Sequence, residues 1–392
     1  MKAQESIKIS IVTPNYNSGA HIEQTIQSVL SQNYSNFEYI VIDGGSTDKS
    51  VQAIEKYSSA LKYWTSEKDR GQSEAINKGL ARATGDIVAY INSDDYYLPA
   101  AFDSVAQFFR KNPKVGMVHG GIRYVDVNGE MIRRQPAREF RWKKAVAHKE
   151  RMDTIAQPTV FWRRSLLDEV GYFDESFHYV MDLDMWTRIA MRAQIGRLPL
   201  EIAAMRMHEQ SKTMSSTTSA NDQMRRERFR LREKLFENQD LPENLRRKKA
   251  WVLTMAAMWL TVECITQGNM AEAEFYSQKA VGNDPCVFRH FRDRLSHLCL
   301  QISHFPPGRR TEMQNRFLSL FSEEIPDKKK FRETIEQLDM LIGWENGEMT
   351  LSTGERLGCA LKVLRAVRGV WFDPFLRIRV AKAFLGKGPL GA

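Results

Sequence analysis

Apolar runs broken by short polar clusters give the first hundred residues their shape. Ile7-Lys8-Ile9-Ser10-Ile11-Val12 reads as a strand that closes on the turn sequence Thr13-Pro14-Asn15. Ile22, Ile26, Val29 and Leu30 then recur at helical spacing. Phe37–Ile42 is a second strand, apolar enough to be buried on both faces. It runs into Asp43-Gly44-Gly45-Ser46-Thr47-Asp48, where glycines allow a sharp turn and Asp48 can cap the next helix. A short strand near Leu61–Trp64, the loop Glu67–Gly71 and a helix from Gln72 to Ala83 form a third unit. A fourth strand, Ile87–Ile91, ends at Asn92-Ser93-Asp94-Asp95, ahead of a helix over 99–111.

Strand and helix alternating at this spacing predict right-handed crossovers and a parallel sheet, an α/β class. Ligands bind such sheets at the carboxyl ends of the strands. The clusters Thr13–Asn17, Asp43–Asp48, Asp69–Gly71 and Asn92–Asp95 all fall there, which predicts one shared site. Asp94 and Asp95 are adjacent carboxylates at a strand end, and hard oxygens of this kind suit Mg2+ or Mn2+ bridging to phosphates. A turn with a helix cap before Pro99 accounts for the same pair, and on spacing alone both readings stand.

Composition narrows the class. A chain of 392 residues suggests two to three domains, and 42% hydrophobic against 27% charged residues excludes a disordered chain. Cys264, Cys286, Cys299 and Cys359 form no CxxC pair, which argues against a zinc site or disulfide framework and for a reduced, cytoplasmic compartment. The opening MKAQESIKIS is polar where a signal peptide would be apolar. The longest apolar stretch, Trp251–Ile265, is interrupted by Thr254, Thr261 and Glu263, so no membrane-spanning helix is expected. Most of the net charge of +9 sits at the end of the chain. From Arg356 onward eight cations (Arg356, Lys362, Arg365, Arg368, Arg377, Arg379, Lys382, Lys387) face Asp373 alone. A local tail of this kind differs from the broad basic face of a nucleic-acid binder.

The runs SIVTPNYN, SVLSQNYSNFEYIVIDGGSTD and EKDRGQSEAINKGLARATGDIVAYINSDD, in this order, resemble the family 2 glycosyltransferases. The resemblance covers about residues 1–210 and implies a GT-A fold, a Rossmann-like mostly parallel sheet flanked by helices, in an inverting enzyme that uses nucleotide sugars. It implies that Thr13, Pro14 and Tyr16 line the nucleotide pocket and that Asp43 accepts a hydrogen bond from the base, usually uracil. Asp69 and Arg70 would contact the base from the next loop, and Asp94 would sit near the ribose and sugar. Asp95 would hold Mn2+ or Mg2+ on the diphosphate. Asn92 departs from the family's Asp-Ser-Asp-Asp run, leaving one negative charge fewer near the ion. His208, in Arg206-Met207-His208, matches a histidine that reaches the metal or diphosphate.

Gln157–Arg164 and Val170–Glu175 look like the family's acceptor side. In Met181-Asp182-Leu183-Asp184 the match places the catalytic base at Asp182, with Met181 where relatives carry glutamate. An inverting displacement needs such a carboxylate to take the acceptor hydroxyl's proton. Asp184 is the rival for that role, and its preferred reading is N-cap of a helix over Met185–Ala193.

Residues 211–222 form a Ser/Thr-rich linker or mobile loop, and 223–392 read as an all-α region. Leu260, Gly268, Ala273, Ala280 and Pro285 fall at spacings similar to one tetratricopeptide-like repeat, which an ordinary helix hairpin explains equally well. In Arg356–Phe372, Leu357, Ala360, Leu361, Leu364, Val367 and Trp371 share a face flanked by cations. Such a helix suits an anionic membrane surface, peripheral on its inner face, or docks on its own domain; both stand.

The expectation is an inverting transferase of one sugar from a nucleotide diphosphate, UDP first, to a hydroxyl of a glycan or lipid-linked acceptor. No Gln-x-x-Arg-Trp motif marks a processive synthase. A sugar nucleotidyltransferase would show a Gly-rich phosphate loop after the first strand, and Thr13–Asn17 is none. A non-catalytic glycan- or partner-binding protein would not need Asp94, Asp95 and Asp182 together.

Overall fold

The computed structural model describes residues 6–146, 155–208, 218–284, 307–321 and 350–366, with isolated positions between 329 and 341. The chain divides after Leu241 into two compact units.

The first unit opens with the expected alternation: β1 (Ile9–Asn15), α1 (Ile22–Leu30), β2 (Phe37–Asp43), α2 (Ser50–Glu55), β3 (Tyr63–Ser66), α3 (Gln72–Leu80) and β4 (Ile87–Tyr90). β1 pairs in parallel with β2 and β4, and β2 with β3. Every residue of β1 and β4 is buried, as a central strand covered on both faces requires. Ile9, Ile11, Ile26, Val29, Val41, Ile54, Ile87 and Ala89 share one core. Burying each such aliphatic side chain contributes roughly 1.5–3 kcal/mol. α3 lies so close to β1 that a Cβ on Gly79 would stand 2.3 Å from Val12 Cγ1.

Beyond β4 the sheet changes character. β5 (Tyr96–Tyr97), α4 (Ala101–Lys111), β6 (Val115–Val125), β7 (Met131–Gln135), α5 (Trp142–Val146), β8 (Val160–Arg163), α6 (Leu166–Val170), α7 (Met181–Arg192), β9 (Gln194–Arg206) and α8 (Thr218–Glu237) follow. The order is β3-β2-β1-β4-β8-β6-β9-β5, with β7 on β6. β8 enters antiparallel between β4 and β6, whereas β9 runs parallel to β6. This mixed, mostly parallel α/β sheet is of GT-A type.

The second unit, as far as described, is helical: α9 (Glu243–Arg246), α10 (Lys249–Gln267), α11 (Met270–Asn283), then Pro307–Leu320 and Thr353–Ala366. α10 ends on Gly268 at φ +80°, and the Asn269 side chain accepts the Glu272 N–H to start α11. No described helix is long and apolar enough to cross a membrane. Residues 211–217, Pro285 and the basic stretch from 367 lie outside the described residues.

Candidate active site

The carboxyl ends of β1, β2 and β4 and the loop after β3 open onto a cavity of about 690 Å3. Pro14, Tyr16, Asp69, Arg70, Asp94, Asp95 and His208 line it together, with His178 and the end of β9. Thr13, Asp43 and Asp182 do not reach its wall. Thr13 is fully buried, its hydroxyl 2.9 Å from Tyr39 Oη.

Asp43 is fully buried too, and protein donors occupy it. Asn15 Nδ2 (2.6 Å) and Ser66 Oγ (2.6 Å) donate to it, as do the Ser46 hydroxyl and the backbone N–H groups of Gly45 and Ser46. Burial pushes its carboxyl up, and the bonds from Ser46, Ser66 and Asn15 outweigh that and hold it below the ordinary value. Asp43 thereby locks the β2 loop to β1. Asp48 accepts the Ser50 N–H (2.9 Å) at the start of α2 and the Gly19 N–H (2.7 Å).

Asp69 sits against Gly44, where a Cβ would stand 2.7 Å from its Oδ2. A side chain at 44 would have to push the Asp69 carboxylate away from this loop. Burial raises the Asp69 carboxyl, opposed by the Gly71 N–H. Arg70 ion-pairs with Glu74 (2.9 Å) and Glu175 (2.6 Å) at the rim.

Asp94 and Asp95 are held by three elements. Thr25 Oγ1 on α1 donates to the carbonyls of Ser93 (3.0 Å) and Asp95 (2.6 Å). The Arg206 backbone N–H donates to Asp95 Oδ1 (3.0 Å), and His208 Nε2 meets Asp94 Oδ2 (2.9 Å). Asp95 is only 2% exposed. Burial, with Asp94 beside it, pushes its carboxyl well above the ordinary range, and Arg206 opposes this weakly. Asn92 joins an amide relay, accepting from Gln72 Nε2 (2.6 Å) and donating to Gln157 Oε1 (3.2 Å).

Two residues were not singled out from the sequence. Arg206 is buried, and its guanidinium donates to Gln24 and to the carbonyls of Asp94 (3.3 Å), Asp126 (3.1 Å) and Val127 (2.9 Å). The His21 ring lies 5.4 Å from that of His208, tilted by 49°. Burial lowers its pKa, reinforced by Arg206 and His208 and opposed by Asp94. Arg206 lies two residues before His208, and His21 opens α1 after the β1 loop; both were within reach of motif position.

Asp182 stands in the first turn of α7, and its Oδ1 accepts the Leu183 N–H at 2.8 Å. Asp184 is not an N-cap: the helix begins at Met181, and Asp184 is buried inside it, paired with Arg188 (2.7 Å) and Lys234 (2.8 Å).

Residues 10–171 match the family model for glycosyl transferase family 2. An uncharacterized glycosyltransferase of Mycobacterium tuberculosis, MT1564, is 30% identical over 189 residues, 47% of this chain and 69% of that protein. The chain belongs to glycosyl transferase family 2. An uncharacterized family relative from Haemophilus influenzae is 35% identical over 128 residues, 32% of this chain. The chain spans about half of that relative's length, 51%. Residues 1–349 of S. aureus TarS, solved in complex with UDP-GlcNAc, share the fold. The TM-score is 0.53 at 20% identity, covering 84% of this chain and 92% of that one.

Proposed function

We propose that the chain is an inverting glycosyltransferase that moves a sugar from a nucleotide diphosphate, UDP first, to a hydroxyl of a glycan or lipid-linked acceptor. One observation carries the reading. A single cavity gathers Pro14, Tyr16, Asp69, Arg70, Asp94, Asp95 and His208 from separate loops at the carboxyl edge of the sheet. Pro14, Tyr16, Asp69 and Arg70 would take the nucleoside, and Asp94 the ribose and sugar.

The donor set fits a divalent cation. Asp95 is a buried carboxyl pushed up by burial and Asp94, and a nearby dication would reverse that cost. Among the described residues no three His, Cys, Asp or Glu side chains converge on one point as a ready-made cage. Asp95 and His208 would therefore share a bound Mn2+ or Mg2+ with the donor's phosphates, where the ion neutralises charge on the departing diphosphate. Asp182 would take the proton of the acceptor hydroxyl. The acceptor oxygen then bonds to the anomeric carbon as the bond to the diphosphate oxygen breaks on the opposite face.

Calorimetric titration of UDP with and without Mn2+ tests the donor half. Micromolar binding that needs the metal supports it, and silence to UDP, GDP and dTDP alike would overturn it. Silence to UDP alone would change only the nucleotide. Membrane attachment through the tail from Arg356 is a separate part of the proposal, tested by vesicle binding after truncation.

A further inference from the structure

α7, the helix that carries Asp182, has no side-chain cap at its N-cap residue, and Asp182 Oδ1 meets the Leu183 N–H of its first turn. Its N-cap residue Val180 offers no side-chain acceptor, and Met181 stands where the family pattern has a carboxylate. The first N–H groups of a helix need partners when buried, and they favour a negative charge. Here a negative charge from another helix sits just ahead of the helix start. Glu227 Oε2, on α8, accepts the backbone N–H groups of His178 (2.9 Å), Tyr179 (2.6 Å) and Val180 (3.3 Å). Gln223 Nε2 donates to its other oxygen at 3.2 Å, and Glu227 is 5% exposed.

The contact belongs to a continuous grip. Residues 227, 230 and 234 recur at i, i+3 and i+7, so they share one face of α8. Arg230 donates to the Ser176 carbonyl and lies 4.4 Å over the Phe177 ring. Lys234 pairs with Asp174 (2.7 Å) and Asp184 (2.8 Å). The gripped segment runs from His178, in the wall of the donor cavity, to Asp182. α8 itself lies outside the family match at residues 10–171.

We propose that Glu227 is a positioning residue for transfer: it fixes the turn 178–182 and so sets where the Asp182 carboxylate stands. By taking three N–H groups just ahead of the helix, it fixes the backbone that leads into Asp182. This inference rests on Asp182 being the base.

The test compares wild type, Glu227→Gln and Glu227→Asp as full chains. Amide hydrogen exchange over residues 178–183, calorimetric UDP affinity and the rate of UDP release from UDP-GlcNAc are measured together. For Glu227→Gln the expected result is exchange of 178–183 at least tenfold faster, with the β1–β4 amides unchanged. Turnover falls 10–100-fold while UDP affinity stays within twofold. Glu227→Asp recovers part of the rate. Unchanged exchange at 178–183, or unchanged turnover despite faster exchange, would overturn the proposal. So would a general loss of protection across the sheet, which marks plain structural support. Asp182→Asn separates the two readings: if it turns over like wild type, the base assignment fails whatever Glu227 does.

Discussion

His208 Nε2 lies 2.9 Å from Asp94 Oδ2, joining the end of β9 to the loop after β4 across 114 residues of sequence. The first strands of the sheet and its late strand β9 thus meet at the carboxylates, and Thr25 holds the same loop from α1. Binding chemistry at Asp94 and Asp95 is therefore set by elements far apart in the chain.

Asp95→Asn should separate stability from binding. The folded state favours the neutral carboxyl, so stability is lost as pH rises above the ordinary carboxylate value of 3.8. Asparagine removes the buried charge and keeps an acceptor for the Arg206 N–H. The expected result at pH 7.5 is a thermal midpoint equal to or above wild type in the absence of metal. Metal-dependent UDP affinity should drop at least tenfold by calorimetry.

Asp182→Asn should leave UDP affinity within twofold and lower transfer by roughly 100-fold or more, the usual scale of general base catalysis. Single-turnover assays with saturating donor read this directly. A wild-type rate in the variant would reassign the base.

Glu38 links β2 to its neighbours through Lys8, Ser10 and Thr84. Burial raises its carboxyl, yet these partners win and hold it at about 2. The folded value lies below the unfolded one, so the stabilisation is complete above about pH 4.5 and disappears as pH falls toward 2. Glu38→Gln should flatten that part of the acid-denaturation curve, followed by circular dichroism.

Gly79→Ala should destabilise by about 1–3 kcal/mol, the cost of overpacking a filled core. The added methyl would meet Val12. In urea titrations Val12→Ala made together with it should cost less than the two changes summed.

The parallel half was legible because buried strands are unbroken apolar runs and their loops carry the polar residues. Phe37–Ile42 and Ile87–Ile91 were read almost to the residue. The antiparallel half gave weaker signals. β6 is interrupted by Gly116, Gly120 and Gly121, and β7 is exposed almost throughout, so neither shows a clean period. Asp184 misled for a related reason. Aspartate is a strong local cap signal, but the helix already starts at Met181, and the turn that leads into it is held by Glu227, almost fifty residues downstream. No local pattern carries that partnership. Site residues on strand-end loops were readable from position, whereas the neighbours that set their charge, such as Arg206, depend on how β9 folds back.

Arg206 has one further consequence. Its guanidinium is buried, and its donors are spent on Gln24, Asp94, Asp126 and Val127, so the charge is fixed in place. Arg70, at the same cavity, has a side chain 76% exposed and pairs through solvent-facing contacts. Dissolved ions screen the second charge far more than the first. Raising ionic strength should therefore loosen whatever Arg70 holds at the rim while the attraction centred on Arg206 persists.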